Sequence, residues 1–243
     1  MSPLVESVVR FLRSTVGTKV LMALTGLALV GFLVAHLAGN LQMLAPGGKA
    51  PELMNAYAAQ LKGLGPLLWI ARIGLLGTFA LHVALAIRLT ALNKAARPVP
   101  YAYESTVQAS WGSRTMILTG SVVILFVLFH LAHFTLGFTH PEHYALHDAQ
   151  GRHDVYNMVV AGFQVPAVAV GYGLAMFVVG LHLSHGLGSL VRSLGLSNPR
   201  LRLLTQRLGV AVAILLAVDF ALIPSAVQSG WIQPSTSVEG SNK

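Results

Sequence analysis

The chain has no cysteine among its 243 residues. That excludes disulfides, iron–sulfur ligation by this chain, and the C-x-x-C-H attachment of a c-type haem. Charge is scarce too. Only 10% of residues are Asp, Glu, Lys or Arg, where a soluble domain carries about 25%. So little polar surface cannot face water, and 54% of the chain is hydrophobic, so lipid is the expected solvent. Acidic residues are the scarcest, eight against 16 basic ones. The net charge of +8 does not indicate nucleic acid, because the basic residues lie in short blocks between apolar runs, the pattern of membrane topology.

A helix crosses a bilayer with about 20 apolar residues, and five segments qualify: 20–41, 64–87, 115–139, one within 155–191, and 208–227. The first resembles a signal peptide, with Arg10, Arg13 and Lys19 before it. It runs on too far into His36-Leu37-Ala38-Gly39-Asn40 and is read as a membrane helix. The stretch 155–191 is longer than one crossing needs, so its start is expected to be an interfacial segment, with Pro166 in the first turn of the span. The organisation is therefore an N-terminal segment 1–19, an all-α, five-helix transmembrane domain 20–230, and a polar tail 231–243 expected to be disordered.

Five spans put the termini on opposite sides. Eleven of the 16 basic residues fall on one side: Arg10, Arg13, Lys19, Arg88, Lys94, Arg97, Arg114, Arg192, Arg200, Arg202 and Arg207. That side is expected to be cytoplasmic. The N-terminus is then inside, and the loop 139–154 and the C-terminus are outside.

Six histidines lie in the spans: His36, His82, His130, His133, His182 and His185. An ionisable group at membrane depth is a functional candidate. An internal repeat selects among them. Thr25-Gly26, nine residues, then His36-Leu37-Ala38 matches Thr119-Gly120, nine residues, then His130-Leu131-Ala132. Leu81-His82-Val83 matches Leu181-His182-Leu183 more weakly. The repeat favours His130 over His133 and His182 over His185. Spans one and three enter from one side and spans two and four from the other, and all four histidines come late. His36 and His130 therefore share one depth, and His82 and His182 another, each very roughly 5–10 Å from the midplane at 1.5 Å per residue. Zinc wants three or four ligands at one depth; two pairs fit two non-covalent haems, each held from both faces. Glycines such as Gly26, Gly31, Gly120 and Gly180 let a flat ring approach backbone, or equally serve helix packing.

Several stretches together carry a family likeness: Ala35-His36-Leu37 with Asn40, Leu81-His82, Ser113-Arg114-Thr115-Met116 with Thr119-Gly120, and Phe129-His130. To these are added Asp154-Val155-Tyr156-Asn157-Met158-Val159-Val160 and His182-Leu183-Ser184-His185-Gly186. Over roughly residues 14–230 the chain resembles the single-subunit, five-helix di-haem cytochrome b anchor of succinate:quinone oxidoreductases, most closely the bacterial b558-type succinate dehydrogenase branch. The resemblance implies a four-helix bundle around two haem b groups with a fifth helix beside it. It implies axial ligation by His36, His82, His130 and His182, paired first span with third and second with fourth. It also implies a flavoprotein and an iron–sulfur protein docked on the cytoplasmic side, a quinone (menaquinone or ubiquinone) as substrate, and a bacterial inner-membrane location. No dicarboxylate or flavin site is visible in the chain, so succinate chemistry is expected in a partner. Quinol-driven fumarate reduction uses the same scaffold. The alternatives are the cytochrome b of another membrane dehydrogenase and, from a different class, a proton transporter built on histidines.

Other residues are candidates of lesser weight. Lys19 and Arg114 are candidate propionate or quinone contacts, or snorkelling anchors. Arg72 and Asp219, both within spans, are expected to pair with one another, or Arg72 to meet a propionate, with Asp219 as a candidate proton relay. Glu52, Asn55 and Tyr57 are expected in a loop between the first two spans, as quinone contacts or ordinary loop polarity. His140, His143, His147 and His153 are expected in a solvated loop. The segments 88–114 and 192–207, through Lys94, Arg97, Arg200 and Arg202, are the expected docking surface.

Overall fold

The computed structural model describes residues 2–96, 111–195 and 198–235. Arg97 and the end of the tail, two of the positions considered above, lie outside them. The described residues form nine α-helices: α1 (Pro3–Arg13), α2 (Thr15–Asn40), α3 (Ala50–Gly63), α4 (Pro66–Ala95), α5 (Trp111–His130), α6 (Pro141–Tyr144), α7 (Val155–Gln164), α8 (Pro166–Ser193) and α9 (Pro199–Gln228). A 3-10 turn Leu41–Leu44 extends α2, and a π-helical turn Leu131–Thr135 extends α5. Five helical segments are long and apolar enough to cross a membrane: Thr15–Leu44, Pro66–Ala95, Gly112–Thr135, Pro166–Ser193 and Pro199–Gln228. The chain is an all-α, multi-pass membrane protein.

These helices start where the local chemistry dictates. Ser14 caps α2 by accepting from Gly17 N–H, Asp154 caps α7 through Asn157 N–H, and Asn198 caps α9 through Arg200 N–H. Proline occupies the first turn of α1, α3, α4, α8 and α9, where its missing N–H costs nothing. Gly65, at φ +53, makes the left-handed turn between α3 and α4. The helices overrun the apolar runs at one end, because a capped helix continues into the headgroup layer. α9 therefore begins at Pro199 rather than near 208, and Arg200, Arg202 and Arg207 stand on its first turns rather than in a loop. Val155–Gln164 is a separate helix of about 15 Å, too short to cross, and Pro166 opens the true span.

Five alternating spans define two ends. The α1 end gathers the starts of α2, α5 and α9 and the finishes of α4 and α8. The opposite end gathers α3, α6 and α7. α8 packs along α9, α2 on α4, α5 on α8, and α2 touches α8 and α9. Neither α2 with α5 nor α4 with α8 packs extensively, so these pairs face each other across the bundle.

The α3/α7 end is filled by its own side chains. Met43, Met54, Tyr156, Val160, Phe163, Tyr172, Ile223 and Ile232 form one buried cluster. A polar lock crosses it. Asp154, with no exposed surface, accepts from Asn55 Nδ2 at 2.9 Å and from Asn157 Nδ2 at 2.6 Å. Asn55 Oδ1 accepts from Tyr156 N–H at 3.0 Å, and Asn157 Oδ1 from Ser235 N–H at 2.9 Å. Buried polar groups this fully paired tie segments remote in sequence into one unit. Glu52, Asn55 and Tyr57 are thus on a helix, not in a loop. Glu52 is paired with Arg152 (2.6 Å), Asn55 is spent on the lock, and the Tyr57 ring sits against Gly39.

Candidate functional site

The four repeat histidines fall where the bundle helices face one another. His82 and His182 each lie 16 residues past the proline that opens its helix, about 24 Å down the axis. They stand on α4 and α8, the helices that face each other across the bundle. His36 and His130 lie nearer the α3/α7 end, with ring centroids 5.9 Å apart and planes at 85°. Phe32 stacks on His36 at 5.3 Å, and Phe126 flanks His130 at 5.8 Å.

The Thr-Gly elements of the repeat act on the other pair. Thr25 Oγ1 lies 3.0 Å from His82 Nδ1, and Thr119 Oγ1 lies 3.3 Å from His182 Nδ1. Each hydroxyl has one proton, and each gives it to its own helix: Thr25 to Leu21 O at 2.9 Å, Thr119 to Thr115 O at 3.1 Å. With the hydroxyl proton on that carbonyl the oxygen accepts from the ring, the arrangement in which Nδ1 carries the imidazole proton and Nε2 keeps its lone pair, and the 3.0 and 3.3 Å contacts fit it. The neighbouring glycines admit the rings. A Cβ on Gly26 would lie 3.3 Å from His82 Cε1, and one on Gly120 3.4 Å from His182 Cε1. Thr25 and Thr119 are therefore level with His82 and His182. His36 and His130 each lie 11 residues further along, so the two pairs are separated by about 16 Å along the axis.

Tyr172 serves the second pair. Its hydroxyl is 3.3 Å from His130 Nδ1 and 3.2 Å from His133 Nδ1. His133 itself is turned away from His36 into the α7 side. It is 3% exposed, stacked on Phe134 at 3.9 Å and pressed against Gly162. His185 packs beside Gly112 at the start of α5.

These residues fit a metal held between two imidazoles. With metal–nitrogen bonds of about 2 Å, two rings on opposite sides of one metal have centres roughly 6 Å apart, close to the His36–His130 separation. Among the described residues no three histidines or carboxylates converge on one point, so a zinc site of three or four protein ligands is not formed there. Threonine and glycine stand beside the His82 and His182 rings, whereas Phe32, Phe126 and Phe220 pack on His36 and His130.

The lesser candidates are placed differently. Lys19 and Arg114 are exposed on the first turns of α2 and α5, the position of interfacial anchors. Arg72 does not pair with Asp219: among the described residues no ion pair joins them, and the Arg72 guanidinium lies 5.1 Å over the Trp69 ring. On α4 and α9 their side chains are half-buried on separate helices. The 139–154 histidines are more ordered than a solvated loop. His140 and His143 stack at 4.9 Å, His153 Nε2 is 2.8 Å from Tyr144 O, and His147 bridges to His153. Burial lowers the basicity of His143 and His153 below the ordinary histidine range.

The roles of Tyr172, Thr25 and Thr119 were not assigned from the sequence. For the threonines the signal was there, since the repeat includes them; what it lacked was their partner on another helix. Tyr172 has no counterpart in the repeat.

Together these features define a multi-pass helical membrane protein with two facing histidine pairs. Comparison with protein-family models, with curated proteins and with solved structures gave no match, so the functional reading rests on the residues themselves.

Proposed function

We propose that this chain is the membrane-anchoring cytochrome b subunit of a succinate:quinone oxidoreductase. In this reading His36 with His130, and His82 with His182, hold two b-type haems. The observation that carries it is the duplicated arrangement of facing histidines on alternate helices, with Nε2 of His82 and His182 left as the free ligand nitrogen. When bound, such a group supplies a reversible one-electron couple, and two histidine ligands favour electron transfer over oxygen chemistry. The protein's part is to hold the imidazoles, orient His82 and His182 through Thr25 and Thr119 and His130 through Tyr172, and keep water out with Phe32, Phe126 and Phe220 around the His36/His130 pair.

The α1 end collects Arg88, Lys94, Arg114, Arg192, Arg200, Arg202 and Arg207, which favours a cytoplasmic location for it. The N-terminus is then inside a bacterial inner membrane, the C-terminus outside, and the iron–sulfur and flavoprotein partners dock at the α1 end. Electrons are carried between that iron–sulfur partner and membrane quinone, and the branch resemblance favours succinate oxidation. The choice of succinate rests on the motif resemblance around His36, His130, Asp154 and His182.

A pyridine haemochrome assay on the purified chain tests the core of this reading. Two b haems and no covalent haem are expected; a chain without haem would favour a histidine-using transporter. Purification of the native complex tests the rest. A flavoprotein and an iron–sulfur protein should co-purify, and succinate should reduce the b haems. Reversing the charge of Arg200 and Arg202 together should weaken co-purification with both haems spectrally intact. Unchanged assembly would mean these charges only orient the chain.

A further inference from the structure

The N-terminal segment is not an extended tail but a helix with two unlike sides. At 100° per residue, Leu4, Val5, Val8, Val9, Phe11 and Leu12 fall within an arc of about 160°, and Glu6, Ser7, Arg10 and Arg13 occupy the rest. No residue of α1 is buried; Leu4 is 74% exposed, and Val5, Val8 and Phe11 remain nearly half exposed. A bare apolar stripe of this kind needs an apolar phase to lie in.

The helix is also held in place. Its last carbonyls, Arg10 O and Phe11 O, accept from Ser14 N–H at 3.1 and 2.9 Å. Ser14 Oγ donates to Phe11 O at 2.6 Å while accepting from Gly17 N–H at 3.0 Å. From the adjacent helix α4, the Arg88 guanidinium donates to Arg13 O. Gly17 is where α1 comes closest: a Cβ there would stand 2.0 Å from Phe11 O, so any side chain would force the two helices apart. The chain leaves this fixed corner directly into a membrane-spanning helix, so α1 is pinned at the level where hydrocarbon meets headgroups.

We infer that α1 lies in that interface, with its Leu4–Val8–Leu12 side in the acyl boundary and Arg10 and Arg13 on the phosphates of anionic phospholipid. A short amphipathic helix with cations on its polar side binds a bilayer by just this division. Lys19, exposed on α2, and Arg88, at the corner, add positive charge at the same level, and anionic headgroups attract such a cluster.

The absence of native cysteine allows a direct test on the full-length chain in lipid nanodiscs, whether or not it binds haem. Val8→Cys and Ser7→Cys, each labelled with an environment-sensitive fluorophore, report the two sides of the helix. In discs rich in phosphatidylglycerol, the Val8 label should be blue-shifted and quenched severalfold more by a lipid-borne quencher than the Ser7 label, which should answer to aqueous iodide. Pure phosphatidylcholine should reduce the lipid quenching at Val8 at least twofold. Gly17→Leu should move the Val8 label toward the aqueous pattern. The inference fails if the Val8 label is as open to iodide as the Ser7 label in anionic discs. It fails equally if that label is shielded only when partner proteins are bound, which would make α1 a protein-docking surface. Unchanged lipid quenching in phosphatidylcholine would overturn the anionic-headgroup part.

Discussion

The two ends of the bundle are built by different rules. At the α3/α7 end, apolar side chains fill the interior and Asn55, Asp154 and Asn157 satisfy one another, as in the core of a water-soluble domain. In the region where α2, α4, α5 and α8 face each other, histidine, threonine and glycine stand among apolar residues such as Phe126, Met176 and Val179, and α2 with α5 and α4 with α8 scarcely pack. The first region specifies its own shape. The second brings imidazoles from alternate helices toward one another while neighbouring helices pack, α2 on α4 and α5 on α8.

The comparison breaks most severely at the histidines. His36→Ala and His130→Ala should each lower haem content from two per chain to about one and give matching spectra, and His82→Ala and His182→Ala should remove the other haem. If His36 and His82 variants matched each other instead, the assignment of pairs would be wrong. His133→Ala and His185→Ala should keep both haems.

Next in size is the lock. Asp154→Ala takes from Asn55 and Asn157 their shorter acceptor, leaving Asp148 Oδ2 at 3.3 Å and Ser235 Oγ at 3.1 Å, and removes the cap of α7, a loss of about 1 kcal/mol per hydrogen bond. Thermal unfolding in detergent should shift down by several degrees with the haem spectrum unchanged below the transition. Loss of haem without loss of stability would mean the two regions are not separable.

A smaller effect sharpens the second region. Thr25→Val or Thr119→Val keeps the side chain's shape but removes the acceptor for Nδ1–H. That lowers the basicity of the imidazole, so the midpoint potential of the His82/His182 haem should rise by about 40 mV, the one-electron equivalent of roughly 1 kcal/mol. Serine at either position should restore it. Redox titration of the two b components distinguishes this haem from the other.

The smallest effect is on pH. Hydrogen bonding to Arg152 holds the Glu52 carboxyl below its ordinary range. Burial pushes Asp148 up, but the Arg152 side chain and backbone outweigh it and leave it lowered as well. Carboxylates depressed in the folded state stabilise it above their unfolded values of about 4 and lose that contribution as pH falls through the lower folded values. Amide exchange in α3 and residues 145–153 should therefore rise below about pH 4, while Arg152→Ala should show the same exchange already at neutral pH.

The spans, the histidines and the break before Pro166 were legible in the sequence, because hydropathy and periodicity are local. The helical state of α3 was missed although Pro51 and the spacing of Met54 and Tyr57 announce it, since an amphipathic helix outside the hydrocarbon has no long apolar run. The lock could not be read at all: Asn55 and Asp154 are 99 residues apart, and nothing in either neighbourhood names the other. The expected Arg72–Asp219 pair failed for the converse reason. Two opposite charges at similar depth do not pair unless their helices turn them together, and Arg72 found an aromatic ring one turn away instead.

The way Thr25 and Thr119 spend their single proton has a kinetic side. An imidazole in a flexible site must find both a ring orientation and a tautomer before it can take a metal, and some of its encounters present the wrong nitrogen. Here both questions are closed by the helix backbone before any ligand arrives. Capture at His82 and His182 then needs little reorganisation, and escape must break a bond without the help of ring rotation. On the proposed haem reading, the duplicated Thr-Gly element should make this end of the bundle fast to load and slow to empty.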